Sequence, residues 1–157
     1  MSTAARNINP VMVREATHDD IIHFVKMARE FSQLAGEPFD RDDTADHVEW
    51  MIDQENTVAF IAVDIDGNPV GICGGIVYPT FWDNSKLTAT ETWWFVRDEA
   101  RGSGAGMALM DALESWAKAA GAWRLSMMTI VGIAPGIEEM YEKRGYRERE
   151  KTFLKEL

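Results

Sequence analysis

The pattern of hydrophobic and polar residues along the chain predicts β-strands interleaved with amphipathic helices. A period of two residues is typical of a half-buried strand, and a period of three to four is typical of a helix with one buried face. The shorter period predicts strands at Val11–Glu15, Thr57–Asp64, Pro69–Tyr78, Leu87–Val96, Arg124–Val131 and Tyr146–Leu154. The longer period predicts helices at His18–Leu34, in the segment capped by Thr44, at Met107–Ala120 and at Pro135–Lys143.

Turn signals between these elements indicate how they connect. The sequence Ile65-Asp66-Gly67-Asn68 favours a hairpin between the second and third strands, and Pro79–Lys86 is predicted as a loop. The resulting order β-α-α-β-β-β-α-β-α-β combines hairpins with a strand-helix-strand crossover, which indicates an α/β fold with a mixed sheet. We expect a flexible tail over residues 1–10 and a single domain over residues 11–157.

Composition and charge exclude several classes of protein. The 157 residues carry 16 Lys and Arg against 26 Asp and Glu, a formal charge of −10 that disfavours a nucleic-acid surface and favours cationic partners. The single cysteine, Cys73, excludes an intramolecular disulfide, favours a reducing compartment and is expected to pack as a small hydrophobic residue. No run approaches the roughly 18 apolar residues of a membrane span or resembles a signal peptide, so a cytoplasmic protein without a membrane partner is expected.

The richest candidate chemistry lies where the fourth predicted strand meets the third helix, at residues 97–106. Small residues at the start of a helix leave backbone N–H groups accessible, and the helix dipole favours an anion there, so this turn suits phosphate or diphosphate. Two familiar phosphate fingerprints are excluded, because Met107 stands where a dinucleotide site needs glycine and no Gly-Lys-Ser/Thr occurs. A plain flexible connector is the alternative interpretation.

Two motifs connect this turn to a known family. Arg101-x-x-Gly104-x-Gly106 follows a strand that carries Glu91, and Tyr141-x-x-x-Gly145-Tyr146 lies nearer the C-terminus. Both motifs and the order of elements resemble the GNAT family of N-acetyltransferases, and a softer likeness is to acetyltransferase-like proteins of tailed bacteriophages. The resemblance implies a mostly antiparallel sheet flanked by helices, acetyl-CoA as cosubstrate, and direct transfer of an acetyl group to a primary amine on a small molecule or a protein.

The resemblance also implies roles for the residues of the turn. Backbone N–H groups of Phe95 and Val96, at an expected splay of the strand, would hold the pantetheine arm and polarise the thioester carbonyl. The diphosphate would be held by the side chain of Arg101 and by backbone N–H groups of Gly102, Ser103, Gly104, Ala105 and Gly106.

Two residues, Glu91 and Tyr141, are candidates for proton transfer. Amine acetylation needs a base for the ammonium and an acid for the departing thiolate. Glu91 occupies the position where relatives often carry the base, acting directly or through water, and strict alternation places it on the same face as Trp93 and Phe95. Tyr141 corresponds to the family's proton donor. A solvated carboxylate and a core tyrosine with one hydrogen bond are the respective alternatives.

The sequence departs from the family pattern ahead of Tyr141. Relatives often carry Asn-x-x-Ala there, whereas this chain has Ala134 and Ile137. A noncatalytic acyl-CoA-binding or protein-interaction module therefore stays open beside the enzyme. A nucleic-acid-modifying member of the fold also stays open, and it would need a local basic face formed by Lys143, Arg144, Arg147 and Arg149.

The remaining side chains of interest are three histidines and a pair of aromatic residues. No metal site is expected, because metal-ligand spacing is absent among His18, His23 and His47. Phe81 and Trp82 are expected either to pack, in the core or in a homodimer interface, or to meet a cationic acceptor through their rings.

Overall fold

The computed structural model describes residues 10–157, so the predicted tail lies outside the described residues except for Pro10. The chain divides into two compact units, one extending to Met127 and the other spanning Met128–Leu157. Within the described part, none of the helices has the length and apolarity needed to cross a lipid bilayer.

The first unit is built on a five-stranded sheet with the spatial order β1-β2-β3-β4-β5. The strands β1 to β4 pair in sequence as an antiparallel meander, and β5 pairs with β4 in parallel. The strand bounds are β1 Met12–Glu15, β2 Thr57–Val63, β3 Pro69–Thr80, β4 Asp83–Val96 and β5 Ala122–Ser126. The predicted α/β fold with a mixed, mostly antiparallel sheet is confirmed.

Helices cover both faces of this sheet. The helix bounds are α1 Ile21–Ala35, α2 Arg41–Asp53, α3 Ala105–Ala119 and, in the second unit, α4 Ile137–Lys143. Successive side chains of a strand point to opposite faces of the sheet, so two neighbouring residues of β2 identify the helices that pack on each face. Ile61 packs with Phe24 of α1 and Val48 of α2, whereas Phe60 packs in the cluster that holds Leu109 of α3.

The helix starts are set by side chains that accept backbone N–H groups. Ahead of α1, Asp20 accepts the N–H of Thr17 at 2.8 Å and a bidentate pair of hydrogen bonds from Arg14 at 2.6 and 2.9 Å. At α2 the predicted cap, Thr44, is wrong. The cap is Asp40, whose carboxylate accepts N–H groups from the first turn, so α2 begins at Arg41, ahead of the predicted cap.

The predicted loop Pro79–Lys86 is wrong in most of its length. β3 and β4 continue through it and are joined by only two residues outside the strands, Phe81 and Trp82. The Oγ atoms of Thr80 and Thr88 lie 2.8 Å apart across the strands and support the extended hairpin. Residues 81–86 are all exposed, so this part of the chain lacks the alternation of buried and exposed side chains that identifies a strand.

The C-terminal end also differs from the prediction. β5 ends at Ser126, ahead of the predicted end at Val131, and Tyr146–Leu154 forms no strand. The side chains of Phe153 and Leu154 are 91% and 85% exposed, so the alternating pattern there does not reflect a buried face. A strand needs a neighbour for its backbone groups, which sequence periodicity alone cannot supply.

Candidate functional site

The end of β4 is open on one side. The parallel pairing with β5 runs from Leu87 with Ala122 to Thr90 with Ser126, and β5 then ends. β4 continues to Val96 and stays paired with β3 on its other side. Among residues 10–127, no strand lies beside residues 91–96 on the β5 side, which agrees with the splay expected near the end of this strand.

A β-bulge divides this open stretch and changes the predicted faces. Gly74 pairs with Trp93 and Gly75 pairs with Glu91, so Thr92 is the extra residue. A Cβ on Gly75 would point at Leu113 of α3, and residues paired across strands point to the same face, so Glu91 lies on the α3 face. The prediction that Glu91 shares a face with Trp93 and Phe95 is wrong, because the bulge reverses the alternation.

Glu91 is buried rather than solvated. Its exposed fraction is 5%, which rules out the alternative of a solvated strand carboxylate. The neighbouring Cys73 is fully buried. Desolvation, and to a smaller extent the negative charge of Glu91, raises the pKa of its thiol well above the ordinary value. Cys73 thus packs as expected, and the two residues form a desolvated region under the bulge.

Of the two amides assigned to the pantetheine arm, Val96 has the more open one. The N–H of Arg97 donates to the carbonyl of Val70 at 2.9 Å, on the β3 side. N–H groups two residues apart in a strand point the same way, so the N–H of Phe95 also points towards β3. The N–H of Val96 points to the side left open where β5 ends.

The turn before α3 presents unpaired N–H groups. Gly102 and Gly104 adopt positive φ angles of 81° and 91°, a conformation that glycine adopts without steric cost. Among residues 10–157, the N–H groups of Gly102, Gly104 and Gly106 donate to no protein acceptor. Ser103 donates its own N–H to Ala100 O at 3.1 Å and accepts the N–H of Ala105 on its hydroxyl at 3.3 Å. Three of the five predicted amides are therefore available to a ligand.

The cation of the turn, Arg101, is already engaged. Its Nη1 lies 3.0 Å from the carboxylate of Asp98, and its Nε donates to Val96 O at 3.3 Å. Its side chain is 49% exposed, so it remains accessible from solvent. The positive charges of Arg97 and Arg101 equal the negative charges of Asp98 and Glu99, so residues 97–106 have no net charge. Attraction for an anion must therefore come mainly from the N–H groups and the dipole of α3.

Trp94 fixes the first turn of α3 against the end of β4. Its Nε1 donates to Gly106 O at 3.1 Å, and a Cβ on Gly106 would lie 3.3 Å from the indole ring. Glycine at this position lets the helix start approach the strand closely. Sequence reasoning missed this contact and the bulge, although the Gly74-Gly75 pair inside β3 was a signal for an irregular strand.

Tyr141 belongs to the second unit, where it lies in α4. It is buried, with 9% exposed, and its hydroxyl donates to the carbonyl of Met128 at 2.8 Å. Its ring packs at 5.5 Å from that of Tyr146. The two departures from the family motif, Ala134 and Ile137, line a surface cleft of about 360 Å³ in the same unit.

Comparison with known proteins supports the family. The model of the acetyltransferase (GNAT) family matches residues 24–146, which is most of the chain. No curated protein sequence matches significantly. The comparisons lend no support to the softer likeness to bacteriophage proteins.

Three solved structures with similar folds carry the comparison further. A transcriptional regulator from Bacillus halodurans has a TM-score of 0.79 at 21% identity, covering 94% of this chain and 100% of its own. Glucosamine-6-phosphate N-acetyltransferase from Arabidopsis thaliana has a TM-score of 0.76 at 14% identity, covering 94% of this chain and 98% of its own. A predicted acetyltransferase from Clostridium acetobutylicum, crystallised with acetyl-CoA, has a TM-score of 0.74 at 16% identity, covering 94% of this chain and 96% of its own. At these identities the likeness concerns the fold.

The expected acetyl-CoA cosubstrate is thereby confirmed at the level of the family. The family match covers both the open stretch of β4 and the glycine turn before α3. This chain belongs to the GNAT acetyltransferase family.

Proposed function

We propose that the protein is an N-acetyltransferase that transfers the acetyl group of acetyl-CoA directly to a primary amine, within a domain spanning residues 11–157. The observation that carries the proposal is the set of three unpaired N–H groups, on Gly102, Gly104 and Gly106, beside the open stretch of β4. N–H groups that converge at the start of a 15-residue helix form an anion site, and coenzyme A carries a diphosphate. When bound, acetyl-CoA supplies an activated thioester.

The residues of the first unit divide the work of holding this cosubstrate. The glycine N–H groups, together with the exposed side chain of Arg101, bind the diphosphate. The N–H of Val96 is placed to hydrogen-bond the pantetheine arm or to polarise a carbonyl at the open side of β4. Trp94 keeps the start of α3 in register with that strand through its bond to Gly106.

We assign the base to Glu91 and the acid to Tyr141, on the family motif. Glu91 lies on the α3 face of the sheet, whereas the amine is proposed to approach from the α1 and α2 face. A water molecule at the open edge of β4 would therefore relay the proton from the amine to Glu91. The proton of Tyr141 is held by Met128 O, so this bond must break before Tyr141 can donate to a leaving thiolate. These roles predict different effects of removing each group.

The amine acceptor is proposed to bind on the α1 and α2 face of β4. The bulge turns Thr92 and Trp93 towards that face. Thr92 Oγ1 and Trp93 Nε1 are buried and have no hydrogen-bond partner among residues 10–157. Buried polar atoms of this kind are costly unless a ligand satisfies them. The ring of His47 lies 5.5 Å from that of Trp93 and stacks on the ring of Trp50 at 5.9 Å. These aromatic rings favour a cationic acceptor.

Other acceptors and partners fit less well. Lys143 pairs with Glu139 at 2.8 Å and Arg149 lies 3.6 Å from Glu150. Two of the four residues of the basic face that a nucleic-acid-modifying member would need are therefore paired with carboxylates, which disfavours nucleic acid. Phe81 and Trp82 are 85% and 84% exposed, so core packing is excluded, and a homodimer or an acceptor contact remains open to them. The buried, unreactive Cys73 is compatible with a cytoplasmic enzyme.

The test measures acetyl-CoA binding first and turnover second. Acetyl-CoA at a hundredfold excess over its Kd should stabilise the fold by about 2.7 kcal/mol, and absence of any shift would overturn the proposal. Thiol release with a panel of small amines and peptides then separates an enzyme from a noncatalytic binding module. Glu91→Gln should lower turnover while binding persists, whereas Glu55→Gln, an exposed control, should not.

Two further variants test the remaining assignments. Tyr141→Phe should lower kcat without weakening acetyl-CoA binding, and Tyr78→Phe, which loses a surface hydroxyl bonded to Thr90, is the matched control. Trp93→Phe keeps an aromatic side chain, smaller than the indole, and removes the Nε1 donor, so it should raise KM for the amine alone. Unchanged kinetics in either variant would remove that residue from the mechanism.

A further inference from the structure

Three potential metal ligands converge at the surface of the first unit, away from the glycine turn. His18 lies in the short turn that precedes α1, and Glu49 and Asp53 lie on α2. One ligand atom from each residue lies within 4.8 Å of the other two. Glu49 and Asp53 are four residues apart, a spacing that places both carboxylates on one face of a helix.

The pairing within this cluster is incomplete. His18 Nε2 lies 2.8 Å from Asp53 Oδ1, and both side chains are more than half exposed. Among residues 10–157, neither carboxylate lies in an ion pair with Lys or Arg. Two carboxylates of like charge are thus held close together beside one imidazole, and a bound cation would relieve the repulsion between them.

The donor set indicates which cation fits. One imidazole nitrogen and two carboxylate oxygens are ligands that Zn²⁺ accepts, whereas Mg²⁺ prefers oxygen and water alone. Ligand atoms around a tetrahedral Zn²⁺ stand about 3.4 Å apart, given bonds of about 2.1 Å. His18 Nε2 and Asp53 Oδ1 are closer than this, at 2.8 Å, and the three ligand atoms all lie within 4.8 Å of one another. Side-chain rotations that move the exposed ligand atoms by about 1–1.5 Å reach the tetrahedral spacing, and water completes the coordination.

We propose that His18, Glu49 and Asp53 form a surface site for Zn²⁺ or a similar divalent transition metal. The spacing of the histidines concealed it, because the ligands come from two segments that only the fold brings together. Bound metal would join the turn before α1 to the last turn of α2. The site is independent of the acetyl-CoA site, so its failure would leave the proposed function standing.

Calorimetric titration of the purified protein with ZnCl₂ tests the site, with MgCl₂ as the comparison. We expect one Zn²⁺ per chain, a Tm that rises with zinc, and neither effect with magnesium. His18→Ala and Glu49→Gln should each weaken zinc binding about tenfold or more. His23→Ala removes a histidine from α1 outside the cluster and should leave zinc binding unchanged.

Two results would overturn the proposal. One is the absence of saturable zinc binding to the wild-type chain. The other is binding that persists unchanged in both His18→Ala and Glu49→Gln, since that would locate the metal elsewhere. Both variants change exposed side chains, and circular dichroism checks that each is folded before titration.

Discussion

Asp98→Asn removes the negative charge closest to Arg101 and should tighten the binding of coenzyme A. The Asp98 side chain is 85% exposed and holds the Arg101 guanidinium at 3.0 Å. In the wild-type protein this carboxylate both repels an incoming diphosphate and competes with it for Arg101. Asparagine keeps the shape of the side chain, so the turn before α3 should keep its conformation.

The expected magnitude follows from the charges. Two unit charges about 7 Å apart in water interact by about 0.6 kcal/mol. A diphosphate with two charges doubles this to about 1.2 kcal/mol, which corresponds to about a sevenfold lower Kd at low ionic strength. The gain should shrink at physiological salt, where the screening length is about 8 Å.

The assay is titration calorimetry with coenzyme A at low and at physiological salt. Asp42→Asn is the matched control, because Asp42 is also exposed and pairs with an adjacent arginine, Arg41, at 2.7 Å on α2. Both variants change the net charge equally, so a general charge effect would tighten binding in both. Equal affinities for Asp98→Asn and the wild type at low salt would refute the placement of the diphosphate at this turn.

Three further outcomes follow from the packing of the first unit. The bonds from Arg14 and Thr17 lower the pKa of Asp20, so its stabilisation is present above the ordinary carboxyl pKa and is lost as the pH falls below it. Asp20→Asn should lower the free energy of unfolding by about 2 kcal/mol at neutral pH. In urea denaturation at acid pH, the variant and the wild type should be equally stable. Gly75→Ala, whose Cβ would lie 2.5 Å from Leu113, should cost about 1–3 kcal/mol by denaturant unfolding, and a neutral result would contradict that packing. Cys73 should resist thiol reagents in the native protein at pH 8 and react only after unfolding, because burial raises its pKa.

Periodicity and turn chemistry predicted most of the first unit. The four central and N-terminal strands, α1 and α3 follow clear apolar periods. The errors fall where burial gives no pattern. The tip of the β3–β4 hairpin is exposed on both faces, and the C-terminal segment alternates without a strand to pair with.

The candidate site was predictable in its location and not in its details. Motif spacing identified the glycine turn, because small residues at a helix start are visible in sequence. The bulge at Thr92 was not visible, since one extra residue in β4 is defined only by its pairing with Gly74 and Gly75. That single residue moved Glu91 to the α3 face. The engagement of the Ser103 N–H likewise depends on turn geometry that composition does not record.

In the proposed function, the unpaired N–H groups at the start of α3 hold the diphosphate of coenzyme A. Amide NMR during a titration with coenzyme A measures this directly. Gly102, Gly104 and Gly106 should show large, saturable shifts. Gly67 and Gly121 should show none, because they also have positive φ but donate their N–H groups to protein carbonyls. Unchanged glycine amides in the turn under saturating ligand would contradict the claim.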